Sequence, residues 1–373
     1  MNGNIRVGNL FGIPFYINPS WFLVLGLVTL SYGGWLAGQF PMGGAVPWML
    51  GFVAALLLFA SVLAHELGHS LVAISQGIEV KSITLFLFGG LASLEKESKT
   101  PGESFWVAIA GPLVSLALFG IFTAIGVVTN VGGPVGAMLG LLASINLILA
   151  LFNLIPGLPL DGGNILKSLV WKITGNPYKG VIFAGRVGQA IGWFAIVTGA
   201  LSILGLSNFG SFWTLLIGFF LLQNAGTAAQ SATIQDKLSH LTAADAVNPN
   251  SPIVSENLTL REFANEYIIG QTQWRKFLVT NEAGAFIGSI SVDDLKLVST
   301  SQWPTTQVKD LMKTVENTTT VNSDLSLLEV VTLLEQKDIS QLPVVNDNGV
   351  LVGLLEKAEI LRQLQKPTET KPA

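Results

Sequence analysis

Between Trp21 and Gln223 the chain repeats apolar stretches too long for the elements of a soluble core. A bilayer interior needs roughly 20 mainly apolar residues per spanning helix. Six runs meet that need: Trp21–Ala37, Val46–Ser75, Phe105–Thr129, Val135–Ile155, Val181–Leu206 and the shorter Phe209–Gln223. Charged residues make up 12% of the whole chain, against about 25% in a typical soluble domain. The average hides a divide, because eight of the 20 Lys and Arg precede residue 227 and the other twelve follow it. The fold expected is an α-helical membrane domain of six transmembrane helices joined to a soluble C-terminal module.

Orientation follows from where the basic residues lie. With the N-terminus cytoplasmic, the inner segments carry Arg6, Lys81, Lys96, Lys99, Lys167, Lys172, Lys179 and Arg186, whereas 38–46, 130–134 and 206–209 carry none. Both termini are therefore expected on the cytoplasmic side. The N-terminus lacks the basic start and small-residue cleavage site of a signal peptide, so its first apolar run is expected to stay in place. The net charge of −4 and the absence of a basic run speak against a nucleic-acid partner. No cysteine is present, which removes disulfides and thiolate metal ligands.

The inner segment Val80–Leu94 is apolar and β-prone but broken by Gly89 and Gly90. Two readings fit it: a β-hairpin dipping into the bilayer where protein or a cavity shields it, or an amphipathic loop at the interface. A polar stretch rich in Ala, Thr, Ser and Gln marks a linker over 227–241. Beyond it the sequence repeats, with Gly284 and Gly288 recurring 65 residues later as Gly349 and Gly353. Each half, about 242–300 and about 305–363, reads as a helix, two strands around an Asn/Gly turn and a second helix. The pair is expected to fold as one α/β module, followed by a disordered tail over 364–373.

The second run contains His65-Glu66-Leu67-Gly68-His69. Residues four apart share one helix face, so the two imidazoles can bind one metal ion. Glu66, about 100° around the helix, can reach a water on that ion rather than the ion itself. Neutral imidazole suits Zn²⁺, which brings the pKa of a bound water towards about 7. A neighbouring carboxylate can take that proton and later deliver it to a leaving amine. A glutamate inside a spanning helix costs at least about 2.5 kcal/mol and marks function more often than structure. The plainer alternative is a pair of histidines satisfied by hydrogen bonds between helices.

A catalytic zinc normally has three protein ligands. His240, the one other histidine, lies outside the apolar part, so a carboxylate must complete the set. Asp161 is the candidate, at the inner end of the fourth run in Asn153-Leu-Ile-Pro156-Gly-Leu-Pro159-Leu-Asp161-Gly162-Gly163. The prolines break the helix there, and the paired glycines are expected to let the backbone turn tightly. An Asp that merely caps the next helix fits equally well. Under the orientation above, Asp161 and His69 share a depth.

These motifs, with Gly111-Pro112 in the third run, resemble the site-2 protease family of intramembrane zinc metalloproteases over about residues 1–226. The resemblance implies that His65, His69 and Asp161 bind zinc and that Glu66 is the general acid/base. It implies that Asn153 helps hold the scissile carbonyl or its oxyanion, for which an amide donor is suited. It also implies that the region of Gly89 and Gly90 pairs with unwound substrate as an added strand, the substrate being a single-span membrane protein. The short inter-span segments leave no room for the PDZ domain that some members carry. Residues 242–363 resemble tandem CBS domains, whose Gly-x-x-Ser/Thr-x-x-Asp nucleotide pattern stands here as Gly288, Ser291 and Asp294. In the second repeat Glu356 takes the hydroxyl position, where it would repel phosphate. ATP, AMP or a related adenine nucleotide is the implied ligand, and dimerisation through the pair is the structural alternative. Members with both halves occur in prokaryotes, so the implied location is a prokaryotic inner membrane.

Two rival readings remain at this stage. A CBS-regulated ion or metal transporter would need intramembrane polar residues spread along a path, whereas these gather at one level. A catalytically dead scaffold would have no use for an intact metal motif.

Overall fold

The computed structural model describes residues 3–86, 89–269, 274–314 and 319–365. It divides into two compact units, Met1–Thr233 and Ile234–Ala373.

The first unit begins with two short strands, β1 (Ile5–Leu10) and β2 (Ile13–Ile17), followed by α1 (Ser20–Gln39) and α2 (Val46–Ser75). Next come β3 (Val80–Phe86) and β4 (Gly89–Leu94), then α3 (Pro101–Thr129), α4 (Gly133–Asn153), α5 (Asp161–Thr174), α6 (Pro177–Ile203) and α7 (Phe212–His240). Six of these helices are long and apolar enough to cross a membrane. Side chains such as Leu23, Leu30, Phe194 and Val197 are exposed around them, as lipid-facing surfaces require. Val80–Leu94 forms a β-hairpin, with Leu85 opposite Gly90 and Phe86 opposite Gly89. The sheet continues beyond that hairpin in the order β1-β2-β3-β4, so β4 is one of its two edges. Its inner face, from Ile13, Phe15, Ile83 and Leu85, packs with Trp21 of α1 and with Phe59 and Ala73 of α2. The sheet is thereby fixed against the helix that carries the two histidines.

Helix contacts rest on small residues, as packing between membrane helices favours. A Cβ at Gly51 would come within 2.9 Å of the Gly33 nitrogen, and one at Gly68 within 3.0 Å of the Ala110 carbonyl. The segment 227–241 is almost wholly helical, since α7 runs unbroken to His240. Ala, Gln and Lys are good helix formers, so the loss of apolar character after Gln223 does not end the helix.

The second unit opens with a 3₁₀ turn, Ala243–Ala246, and β5 (Ile253–Ser255). It continues with α8 (Leu260–Phe263), β6 (Lys276–Thr280), β7 (Phe286–Ser291), β8 (Lys313–Thr314) and β9 (Val321–Asn322). It closes with α9 (Leu327–Gln336), β10 (Gln341–Val345), β11 (Leu351–Glu356) and α10 (Lys357–Gln365). The strands form two sheets, β5-β6-β7-β8 and β11-β10-β9. Residues 65 apart fill equivalent core positions, Phe277 with Leu342, Val279 with Val344 and Ile290 with Leu355, all buried. The halves are interleaved: Val247, near the start of the first repeat, bridges to Leu355 in the second, and β8, near the start of the second repeat, pairs with β7 in the first.

One expectation fails. The second helix of the first repeat is reduced to a 3₁₀ turn, Asp294–Leu297. Val298-Ser-Thr-Ser-Gln-Trp-Pro304 follows, and its Ser, Thr and Pro cannot sustain a helix as Lys357–Gln365 does. Of the expected tail, residues 366–373 lie outside the described residues.

Candidate metal centre and its cleft

His65 and His69 lie one turn apart on α2 and present their Nε2 atoms to the same point, 3.3 Å from each other. Asp161, the first residue of α5, brings Oδ2 to 3.2 Å from His65 Nε2 and 3.3 Å from His69 Nε2. The three atoms form a nearly equilateral triangle. Zinc held at 2.0–2.1 Å by tetrahedral ligands spaces those ligands about 3.3 Å apart. The donor set and its spacing therefore fit zinc, with one corner of the tetrahedron left to a fourth ligand.

The outer nitrogens are also held. His69 Nδ1 donates to the Val107 carbonyl at 2.7 Å, which leaves the lone pair on Nε2. His65 Nδ1 lies 2.9 Å from Ser115 Oγ, with both residues buried. Such partners fix the tautomer and the ring plane of a metal-binding histidine. Neither residue was singled out from the sequence. Ser115 did leave a signal, since it follows Gly111 by one turn and is a lone polar residue in that part of an apolar helix.

The glycines of the sequence motifs have steric reasons. A Cβ on Gly111 would collide with His69 Nε2 and sit 2.7 Å from His65 Nε2, so α3 can pass the site only with a hydrogen there. Gly162 and Gly163 do not turn the chain as expected; both are helical, in the first turn of α5. A Cβ on either would run into the backbone of 154–158, so their role is close packing of α5 on the preceding loop. Leu160, not Asp161, is the N-cap residue of α5. The Asp161 carboxylate is turned to the imidazoles, and it stands in the first turn, where the helix dipole favours an anion.

A cleft of about 380 Å³ opens onto these groups. Glu66, Asn153, Gly89 and Gly90 line it beside His65, His69 and Asp161. Gly90 lies so close to Glu66 that a Cβ there would strike the Glu66 Cγ and approach its Cδ to 2.9 Å. The seven candidate metal, catalytic and substrate residues of the first unit thus share one cleft.

The second unit brings together Ser291 and Asp294. Ser291 donates both its N–H and its Oγ–H to Asp294 Oδ2, each at 2.8 Å, and Lys313 Nζ lies 3.2 Å from Oδ1. Burial acts to raise the Asp294 pKa, but the Ser291 hydrogen bonds and the Lys313 ammonium outweigh it and hold the carboxyl below its ordinary value. Gly288 abuts the Lys313 carbonyl on the neighbouring strand. A cleft of about 190 Å³ lies between the repeats, lined by the pairs Lys276 and Gln341, Leu278 and Pro343, and Ser289 and Leu354, each 65 residues apart. Gly288, Ser291 and Asp294 are not among its lining residues. Glu356 of the second repeat accepts a hydrogen bond from Asn248 Nδ2 at 3.3 Å.

The family model for peptidase family M50 matches residues 53–135 and 128–198, which include His65, Glu66, His69 and Asp161. The Synechocystis protein named "Putative zinc metalloprotease sll0528" is 60% identical over 366 residues, covering 98% of this chain and 96% of its own. The chain belongs to peptidase family M50. Rip3 of Mycobacterium tuberculosis, which bears the same kind of name, is 30% identical over 97% of this M50 chain and 93% of its own length. The solved site-2 protease from Methanocaldococcus jannaschii is 29% identical, with a TM-score of 0.43, over 61% of this chain and 95% of that one. A CBS-domain model matches residues 308–366. The M50 chain is thus a multi-pass zinc metalloprotease that carries a CBS domain.

Proposed function

We propose that this chain is an intramembrane endopeptidase that cuts single-span membrane proteins near the cytoplasmic face of a prokaryotic inner membrane. The reading is carried by the triangle of His65 Nε2, His69 Nε2 and Asp161 Oδ2 in the cleft that Glu66 also lines. Those three residues would hold the zinc, which supplies Lewis acidity and makes a water acidic enough to attack near neutral pH. Glu66 would serve as the general base and acid, accepting a proton on its carboxylate from the attacking water and returning it to the leaving amine. Asn153, at the end of α4, donates its amide to the scissile carbonyl as negative charge builds on it. A helical substrate offers no free backbone, so it must unwind. β4 supports that step, being a sheet edge that lines the cleft and can accept an added strand alongside Gly89 and Gly90.

The basic residues of the inner segments support cytoplasmic termini. An adenine nucleotide at the CBS pair, near Gly288, Ser291 and Asp294, is the proposed regulator, and the same pair offers a dimerisation surface. A transporter is disfavoured because, among the described residues of the first unit, His65, Glu66, His69 and Asp161 gather at one end of a single cleft.

The test is co-expression of the wild type and Glu66→Gln with candidate single-span proteins. Glu66→Gln should keep one zinc per chain and lose cleavage by about 10²–10⁴-fold. Cleavage at the wild-type rate by that variant would rule out the mechanism.

A further inference from the structure

Resting on this reading, the cleft carries a feature that the chemistry does not use. Asp161, Asn164, Lys167 and Trp171 all line it, and their spacing of three, three and four residues puts them on one face of α5. Among the described residues, Lys167 is the sole Lys or Arg in the lining. Its Nζ lies 3.3 Å from Glu97 Oε2, and the two partners differ sharply: the Lys167 side chain is 14% exposed and that of Glu97 85%. Both residues line the cleft, Lys167 with a mostly buried side chain and Glu97 with a mostly exposed one. The Lys167 stem is packed from behind by the start of α6, where a Cβ on Gly180 would meet the Lys167 carbonyl and lie 3.4 Å from its Cγ. The other ionised or ionisable groups of the lining, His65, Glu66, His69 and Asp161, lie at the metal end.

A largely desolvated ammonium needs a counter-charge, whereas an exposed carboxylate gives up a surface ion pair at little cost. We propose that Lys167 is a specificity determinant which receives an acidic side chain of the substrate, and that Glu97 stands in for it between turnovers. Lys167 lies six positions along the helix from Asp161, an axial distance of about 9 Å. An extended peptide covers that in about three residues. The acidic residue belongs about three positions from the scissile bond, on the side of the substrate that runs along α5.

The experiment uses the purified full-length, zinc-loaded protein and fluorescence-quenched single-span peptides in detergent. The peptides share a Leu/Ala span with a central helix-breaking Asn-Gly and carry Asp or Lys at matched positions flanking the cut, which mass spectrometry locates. The readout is the ratio of kcat/KM for the Asp peptide over the Lys peptide. The wild type should favour Asp by about tenfold, the scale of one partly desolvated charge pair. Lys167→Arg should keep the preference, Lys167→Glu should invert it, and Glu97→Gln, by removing the stand-in, should raise it. A latch with no role in selection would respond alike to loss of either partner, whatever the peptide's charge. A wild-type ratio near one, or a shift in the same direction in both the Lys167→Glu and Glu97→Gln variants, overturns the proposal. Absence of any cleavage beyond that of Glu66→Gln would instead overturn the protease reading beneath it.

Discussion

A histidine that binds metal needs its other nitrogen held, and Ser115 does this for His65 from a neighbouring helix. The pair is buried and 2.9 Å long, so no solvent water can replace the hydroxyl. Ser115→Ala should weaken zinc binding by about 10–100-fold, the usual cost of losing such a partner, while Ser115→Thr should restore most of it. Competition against a chelator measures this without a substrate. Unchanged zinc affinity in Ser115→Ala would show that packing alone orients the ring. The HExxH spacing made His65 and His69 legible in the sequence because helix geometry leaves one arrangement for residues four apart. Of the groups behind them, Ser115 left only the weak signal of a lone polar residue one turn after Gly111, and the Val107 carbonyl left none, since a backbone group carries no side-chain identity.

At the scale of elements, Asp161 is placed by a loop pressed between helices. Gly162 and Gly163 lie against residues 154–158, and Gly188 of α6 lies against the Leu158 carbonyl on the other side. Leu158 also donates its N–H to the Ala184 carbonyl at 3.2 Å. Gly163→Val would drive a side chain into the backbone of Gly157 and Leu158, lifting the first turn of α5 and Asp161 with it. Zinc affinity and cleavage should fall together while helix content by circular dichroism stays within error of the wild type. Full zinc affinity in that variant would mean the loop yields without moving Asp161. The six spans could be read beforehand because bilayer thickness dictates their length. The strands β1 and β2 could not, being five or six residues long with no apolar alternation strong enough to show. Proline and paired glycine correctly flagged a break before Asp161, but only contacts revealed that the glycines serve packing rather than turning.

The whole molecule joins a membrane protease unit to a CBS unit through one continuous helix. α7 packs against α6 at Ala225 and Ala229, where Gly185 leaves room, and its last turns supply Leu238 to the core of the second repeat. Composition located this junction but not its character, because a polar helix and a polar coil have similar residues. The distinction matters for regulation. A helix transmits rotation and displacement along its axis, whereas a flexible linker of the same length would transmit neither. If nucleotide binding to the CBS pair tunes cleavage, α7 offers it a covalent route across the boundary between Thr233 and Ile234. Inserting Gly-Gly there interrupts the helix at a cost of about 1 kcal/mol per glycine and leaves the metal centre untouched. Basal cleavage should therefore stay within about twofold of the wild type by this argument, and nucleotide should still bind by calorimetry, but its effect on cleavage should vanish. An undiminished nucleotide response in the insertion variant would show that the units communicate by another route, and α7 would be a tether rather than a lever.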